Sequence, residues 1–473
     1  MLSIRKIGIL GRTYRHLNRY RKILTVFIKY GYGDLIELLK IDQYIEIGLQ
    51  VISKKRRERV EKHTRAERIR MALEELGPTY IKLGQALSTR PDLIPVDFIE
   101  ELSKLQDKVP ERPFEEVKTT LEKELGAPLE SFFDHFEEEA LASASIGQVH
   151  KACLKDGEEI AVKVQHAGIR KTIEVDLEIM LHLATLMERN IEEAALHRPV
   201  KIVEEFAKML EKEIDYQIEA DNMERFARQF LDDPSIYVPK VYRETTTERV
   251  LTMEFVEGIK VSQRAKLEAA GLDTQVVNAQ GAILFLKQIF DFGFFHADPH
   301  PGNIFILPNN VICLLDFGMV SSIDSHTKEL FVELVDSVVH CDASRATQVL
   351  LKLTAWEERP DLTVMEKEVA EYMGRHLYKP LKEIRLDKAL RELLMMASRH
   401  YVRIRPDIFL MLKAFVTMEG VARMLDPEFN MIEKTAPFIL RVKMERLNPT
   451  RIAGDLMRFA SEILEFVQQL PKD

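Results

Sequence analysis

His296-Ala297-Asp298-Pro299-His300-Pro301-Gly302-Asn303, followed by Asp316-Phe317-Gly318, decides the reading of this chain. Enzymatic phosphoryl transfer needs an Asp near the attacking hydroxyl, an Asn five positions later, and a second Asp to hold the metal. Asp298 and Asn303 keep that H-x-D-x-x-x-x-N spacing, and Asp316 opens a D-F-G triplet. The apolar run Val311-Ile312-Cys313-Leu314-Leu315 is the strand expected to deliver Asp316 into a site. A D-F-G triplet alone arises often by chance. A surface loop whose His and Asp cap turns would account for the loop, but not for metal-binding residue types at these offsets.

Working outward, the chain is expected to be helical to about residue 125, with Pro78, Pro91, Pro95, Pro110 and Pro113 at helix starts and turns. Gln148–Leu154 and Glu159–Val164 flank Asp156-Gly157, a good hairpin turn. Long helical patterns run from about Arg170 to Asn190 and from Pro199 to Leu231. Strands around Tyr237–Tyr242 and Arg249–Phe255 lead to a hinge at Glu257-Gly258, and beyond residue 261 all but the catalytic segment looks helical. This order predicts an α+β, bilobal protein-kinase-like fold with an N-terminal helical extension and a mostly helical C-lobe. The expected divisions are 1–70 (basic amphipathic region), 71–125 (helical extension), 126–260 (N-lobe with inserted helices) and 261–473 (C-lobe).

Within that order, Ala161-Val162-Lys163 carries the third-strand lysine that pairs the nucleotide's α and β phosphates. Glu219 is its expected carboxylate partner. At about 100° per residue Asp215 and Glu219 share a helix face while Glu213 points away, so the three acids should not share one role. The loop before the lysine is Ala142-Ser143-Ala144-Ser145-Ile146-Gly147 rather than G-x-G-x-x-G, which puts methyl groups and hydroxyls at the phosphates. Ala142, Ser143, Ala144, Ser145 and Gly147 are assigned to the nucleotide, with Glu254 at the end of the strand before the hinge. No A-P-E triplet follows Gly318, and Ala297 stands where a typical kinase has Arg. The nucleotide-binding parts are present; the peptide-docking parts are missing.

The formal net charge of -9 offers no basic excess for a general nucleic-acid binder. Three separated cysteines, Cys153, Cys313 and Cys341, read as reduced thiols, the first two as small buried hydrophobes. Trp356 and the run Leu393-Leu394-Met395-Met396 read as core. No apolar run approaches a membrane span; Lys287 and Asp291 break the longest. The first thirty residues hold Arg5, Lys6, Arg12, Arg15, Arg19, Arg21, Lys22 and Lys29 without an acid, and Leu10, Tyr14, Leu17, Leu24, Phe27 and Ile28 on one face. Such a helix can lie on an anionic bilayer or pack on the protein's own body; a second basic cluster is Lys54-Lys55-Arg56-Arg57. The expected location is cytoplasmic with peripheral membrane association.

Tyr80-Ile81-Lys82-Leu83-Gly84-Gln85, then Ser88-Thr89-Arg90-Pro91-Asp92, resembles the K-x-G-Q signature of the UbiB-like atypical kinases linked to ubiquinone biosynthesis. Ala144-Ser145-Ile146-Gly147-Gln148-Val149-His150 resembles that family's A-S-x-G-Q-V-H loop, Glu213 and Asp215 its E-x-D motif, and Asp298 to Asn303 its D-P-H-P-G-N loop. Four motifs in order, spanning about residues 20 to 430, make the resemblance specific. It implies binding and hydrolysis of ATP with Mg²⁺ in support of isoprenoid-quinone synthesis at a membrane, with quinone-biosynthesis enzymes as partners. It also implies that Lys82 and Gln85 sit in the cleft, that Glu213 pairs with Lys82, and that the K-x-G-Q segment excludes protein substrates. Many bacterial relatives end in hydrophobic spanning helices, whereas Met431 to Asp473 here is amphipathic and charged. Read without the family, Gly84 marks close helix packing and His300 is a loop hydrogen-bonder.

The expected roles are Lys163 on the phosphates, Asp316 and Asn303 on Mg²⁺, and Asp298 orienting water, a lipid or small-molecule hydroxyl, or a protein hydroxyl. The alternatives are a small-molecule phosphotransferase of the aminoglycoside or choline kinase type, which would not carry Lys82 and Gln85, and a nucleotide-gated scaffold without turnover.

Overall fold

The computed structural model describes residues 13–39, 41, 62–91, 93–105, 110–192, 198–356, 359–377 and 385–446, with the side chains of 13–16, 376–377 and 445–446 left aside. Arg5, Lys6, Leu10, Arg12, the Lys54–Arg57 cluster and residues 447–473 therefore lie outside the described residues, as do the side chains of Tyr14 and Arg15. The chain divides into two compact units, residues 1–258 with 313–319, and 259–312 with 320–473.

The first unit opens with helices α1 (Thr13–Lys29), α2 (Gly33–Leu38), α3 (Arg65–Leu76), α4 (Pro78–Leu87), α5 (Val96–Leu102) and α6 (Phe114–Leu125). Local chemistry sets their ends. Thr64 and Glu67 form a capping box at the start of α3, side chain to backbone in both directions. Gly77 stops α3 at a φ of 96°, which favours glycine, and Pro78 begins α4 at a position with no amide hydrogen to lose. Strands β1 (Phe133–Ser143), β2 (Gly147–Leu154) and β3 (Glu159–Gln165) follow, then α7 (Ile169–Asn190), α8 (Pro199–Glu213), α9 (Tyr216–Gln229), β4 (Ile236–Tyr237) and β5 (Val250–Glu254).

The main sheet is antiparallel in the order β1-β2-β3-β5. The expected β2–β3 hairpin is present, with Gly157 at a φ of 90° in its turn. Alternation along β3 sends Ile160, Val162 and Val164 into a core shared with Val117 and Leu121 of α6. Lys163 is thereby turned to the opposite face. Strand β1 departs from expectation: its run Glu137-Glu138-Glu139 lies on an exposed, irregular edge and carries no apolar period.

Two further outcomes concern helices. The pattern over Pro199 to Leu231 is two helices, because α8 ends at Glu213 and Asp215 caps α9, its Oδ1 accepting from the Gln217 amide at 3.0 Å. The face argument for Glu213, Asp215 and Glu219 on one continuous helix therefore fails. The apolar face of α1 is spent on the protein itself: Tyr20, Ile23, Leu24 and Val26 join a core with α3, α4, α7 and α8. Arg19 donates to both oxygens of fully buried Asp176 (2.6 and 2.7 Å) and to the Leu76 carbonyl (2.8 Å). Lys29 pairs with Glu75.

The second unit carries β6 (Ile259–Lys260), α10 (Thr274–Lys287), β7 (Phe294–His296), β8 (Ile304–Leu307), β9 (Val311–Leu314, whose end belongs to the first unit) and β10 (Val320–Ser322). The helices α11 (Ser325–Val339), α12 (Ala343–Lys352), α13 (Leu362–Leu377), α14 (Leu386–Arg399), α15 (Pro406–Leu425) and α16 (Met431–Arg446) make up most of the rest. Within this unit Phe415 meets Phe285 edge to face and stacks on Phe331, with ring centroids 5.1 and 6.0 Å apart. Strands β11 (Thr354–Trp356) and β12 (Val402–Ile404) pair where only helix was expected. Trp356, expected in the core, is exposed, as is Met395, while Leu394 and Met396 are buried. Among the described residues no helix is long and apolar enough to cross a membrane.

Candidate active site

In the first unit the pleat of β3 aims Lys163 at α9, where its ammonium donates to both oxygens of Glu219 at 2.9 and 2.8 Å. Burial opposes the lysine's charge, but Glu219 and then Asp316 outweigh it, so the ammonium titrates above the ordinary lysine range. A doubly bonded carboxylate holds a long side chain in one place at a buried site, where an unpaired charge would be costly.

The D-F-G segment is fastened to the same helix. Phe317 is fully buried with its ring centroid 5.0 Å from that of Phe226, edge to face, and its carbonyl accepts from Asn222 Nδ2 at 3.1 Å. Asp316 Oδ1 accepts from the Gly318 amide at 2.9 Å. Asp316 thus stays half-buried close to Lys163, a hard oxygen donor of the kind a divalent cation takes. Before it, Cys313 is a buried thiol that burial, with Glu254 adding, pushes up to about 12, an inert small hydrophobe as expected. Cys153 is only half-buried.

The alanine-rich loop is shorter than expected. Ala142 and Ser143 are the last residues of β1, paired with Val149 and Gln148, so the turn itself is Ala144 to Ile146. It closes through Ala144 N–H to the Gly147 carbonyl at 2.8 Å. A side chain at Gly147 would come within 2.4 Å of the Val164 carbonyl and 2.6 Å of the Tyr216 hydroxyl, which explains the glycine.

His166, absent from the expected residues, clamps this turn: its amide donates to the Ile146 carbonyl (2.8 Å) and its Nε2–H to the Ala144 carbonyl (2.9 Å). His166→Ala should cost about 1–2 kcal/mol. The checks are thermal unfolding and faster hydrogen exchange at the amides of Ala144 to Gly147; unchanged exchange would mean the loop does not depend on the histidine. Gln148 and His150 act nearby. Gln148 makes paired bonds with the backbone of Arg112 (2.9 and 3.3 Å) and donates to His150 Nε2 (2.9 Å), while His150 Nδ1–H donates to the Glu137 carbonyl (2.9 Å). Gln148 therefore holds the sheet to the segment before α6, and His150 ties β2 to β1.

The remaining expected residues part company. Lys82, on α4, forms an ion pair with Glu213 at the end of α8. Gln85 does something else: its Nε2 donates to the Leu105 carbonyl at 3.3 Å, tying α4 to the segment after α5. Gly84 is there for packing, since a Cβ would fall 2.2 Å from a Leu105 methyl and 2.9 Å from a Leu73 methyl. Asp215 spends its carboxylate on the helix cap, and Glu254 accepts from the Tyr237 hydroxyl at 2.7 and 2.6 Å.

In the second unit, a π-helical turn (Gln288–Phe292) precedes β7, and Gln288 Oε1 accepts from the buried His296 amide at 3.0 Å. The Asp298 amide donates to His296 Nδ1 at 3.2 Å. The loop then turns through His300 N–H to the Asp298 carbonyl (2.7 Å) and Asn303 N–H to the His300 carbonyl (2.9 Å). His300 Nδ1 accepts from the Gly302 amide at 3.1 Å, so this exposed histidine staples the loop. Asp298 and Asn303 are both half-buried in it.

An antiparallel sheet with a lysine–glutamate pair, a D-F-G segment seated on the partner helix and a helical second unit together define a protein-kinase-like fold. The sequence matches the ABC1 atypical kinase-like domain over residues 104–350 and the UbiB helical domain over 369–430. It is 32% identical over 470 residues to a probable protein kinase UbiB of Shewanella piezotolerans, covering 97% of this chain and 84% of that one. With the chloroplastic protein ACTIVITY OF BC1 COMPLEX KINASE 7 of Arabidopsis thaliana it shares 36% identity over 407 residues, 85% of this chain but 58% of that protein. A solved structure of Rv3197 from Mycobacterium tuberculosis, in complex with erythromycin, superposes with a TM-score of 0.54 at 25% identity, covering 79% of this chain and 95% of that one. The chain belongs to the UbiB family of atypical kinases.

Proposed function

We propose that the protein is an ATP-dependent phosphotransferase or ATPase that supports isoprenoid-quinone, specifically ubiquinone, biosynthesis. The observation that carries this reading is the doubly bonded Lys163–Glu219 pair with Asp316 beside it and Phe317 locked on α9. Lys163 holds the α and β phosphates, the turn from Ala144 to Gly147 lies along them, and Asp298 orients the attacking oxygen. Asp316, with Asn303 by its place in the loop, supplies oxygen donors for Mg²⁺, which when bound neutralises charge on the phosphates. Similarity to probable UbiB protein kinases of Shewanella piezotolerans and Xanthomonas campestris is consistent with the quinone assignment. Single-turnover hydrolysis of labelled ATP, with and without quinone-precursor lipids, tests it. Stimulation by the lipids is expected, and no hydrolysis in either arm would overturn it.

Peripheral attachment to an anionic membrane is part of the same reading, with quinone-biosynthesis enzymes as neighbours there. Because α1 buries its apolar face in the protein, attachment rests on charge, and Lys54, Lys55, Arg56 and Arg57 are the concentrated source. Each basic residue at such a surface contributes about 1 kcal/mol and is screened by salt. Sedimentation with phosphatidylserine vesicles should fall sharply, and lose its salt dependence, when all four become Gln. Unchanged sedimentation would remove the cluster from the assignment.

A further inference from the structure

Tyr216 is used by none of the roles above, yet it is 3% exposed and stands at the first position of α9, one turn before Glu219. The Lys163 ammonium lies 5.0 Å from its ring centroid, within the range where a cation is held by an aromatic face. Glu219 takes the lysine from one side and the ring takes it from another. The ring's own position is fixed through the backbone. The Tyr216 amide donates to the Glu248 carbonyl at 3.0 Å, and Gln165, two residues after Lys163, donates through Nε2 to the same carbonyl (3.1 Å) and to that of Ile214. The strand that carries the lysine and the turn that carries the ring are thus stitched together. The Tyr216 hydroxyl rests against Gly147, at the end of the phosphate turn. An ordinary core tyrosine would set its ring against aliphatic side chains.

We propose that Tyr216 is a positioning residue whose ring face holds the Lys163 ammonium where a nucleotide phosphate will meet it. The inference rests on the ATP-binding reading. The ring, not the hydroxyl, is the working part, so Tyr216→Phe should bind Mg-ATP within about twofold of wild type. Tyr216→Leu fills a similar volume without a π face and should bind about tenfold more weakly. Replacing Tyr216 with 3,4,5-trifluorophenylalanine keeps the shape of Phe but withdraws charge from the face, and its affinity should fall between the two. This variant keeps the test decisive should Tyr216→Leu fail to fold, because a role in packing alone would leave it equal to Phe.

Calorimetric titration of the full chain with Mg-ATP, alongside melting temperatures without nucleotide, reads all three. An ordered loss from Phe to trifluorophenylalanine to Leu supports the assignment. Equal affinity of the Phe and trifluorophenylalanine variants, in a chain whose wild type binds Mg-ATP, overturns this inference alone. Absence of Mg-ATP binding by the wild type overturns the proposed function together with it.

Discussion

Asp316→Asn is expected to abolish stabilisation of the protein by Mg-ATP while leaving the nucleotide-free fold nearly unchanged. Asn keeps an oxygen for the Gly318 amide, so the D-F-G turn survives the substitution. What is lost is the negative charge that a divalent cation needs, at a position that also bears on Lys163. Bound ligand at a hundredfold excess over its dissociation constant stabilises by about 2.7 kcal/mol in the wild type, and that increment should vanish in the variant. Thermal unfolding with and without Mg-ATP measures it. An Asp316→Asn protein stabilised as much as wild type would remove Asp316 from the metal site.

A second large effect is expected at Lys82. Its side chain is 12% exposed and that of Glu213 22%, so the pair is mostly withdrawn from water. Lys82→Ala leaves Glu213 without that cation, and the cost should lie near the lower bound for a broken buried pair, about 3 kcal/mol. The chemical outcome is the more telling one. If the K-x-G-Q helix keeps protein hydroxyls out, the variant should still bind nucleotide but label itself with radioactive phosphate from ATP more than wild type does. Gel autoradiography reads this directly. Wild-type labelling combined with wild-type stability would leave Lys82 without a gating role.

How far the sequence carries is set by what fixes each feature. The offsets among Asp298, Asn303 and Asp316 are read directly from the sequence, and the pairing of Lys163 with Glu219 follows from residue types in a recognisable element order. The β2–β3 hairpin is equally plain, because Asp156-Gly157 separates two apolar strands. The break between α8 and α9 is hidden: Ile214 is buried and keeps the helical period, and its carbonyl is taken by Gln165 of β3. Strand β1 carries three consecutive glutamates on an exposed edge, which no alternation rule would select. His166 and Tyr216 were equally out of reach, since each matters through a backbone carbonyl or a neighbouring cation rather than through a motif. The basic N-terminal helix fits a bilayer and the protein's own body equally well by sequence. Its period is genuine, but Asp176, far along the chain, claims Arg19, and the protein's own core claims the apolar face.

The break at Ile214 and Asp215 bears on which parts of the first unit must move together. The buried residues of α7 and α8 mesh with those of α1 to α5 in one core, while the sheet and α6 share another. Were α8 and α9 one rod, any shift in the helical layer would drag Glu219 with it and unseat the lysine. Ending the rod at Glu213 and restarting it at Tyr216 confines such a shift to the layer that carries Lys82. A displacement of the helical layer is therefore not passed to Glu219 along a continuous helix, and the carboxylate that holds Lys163 keeps its place.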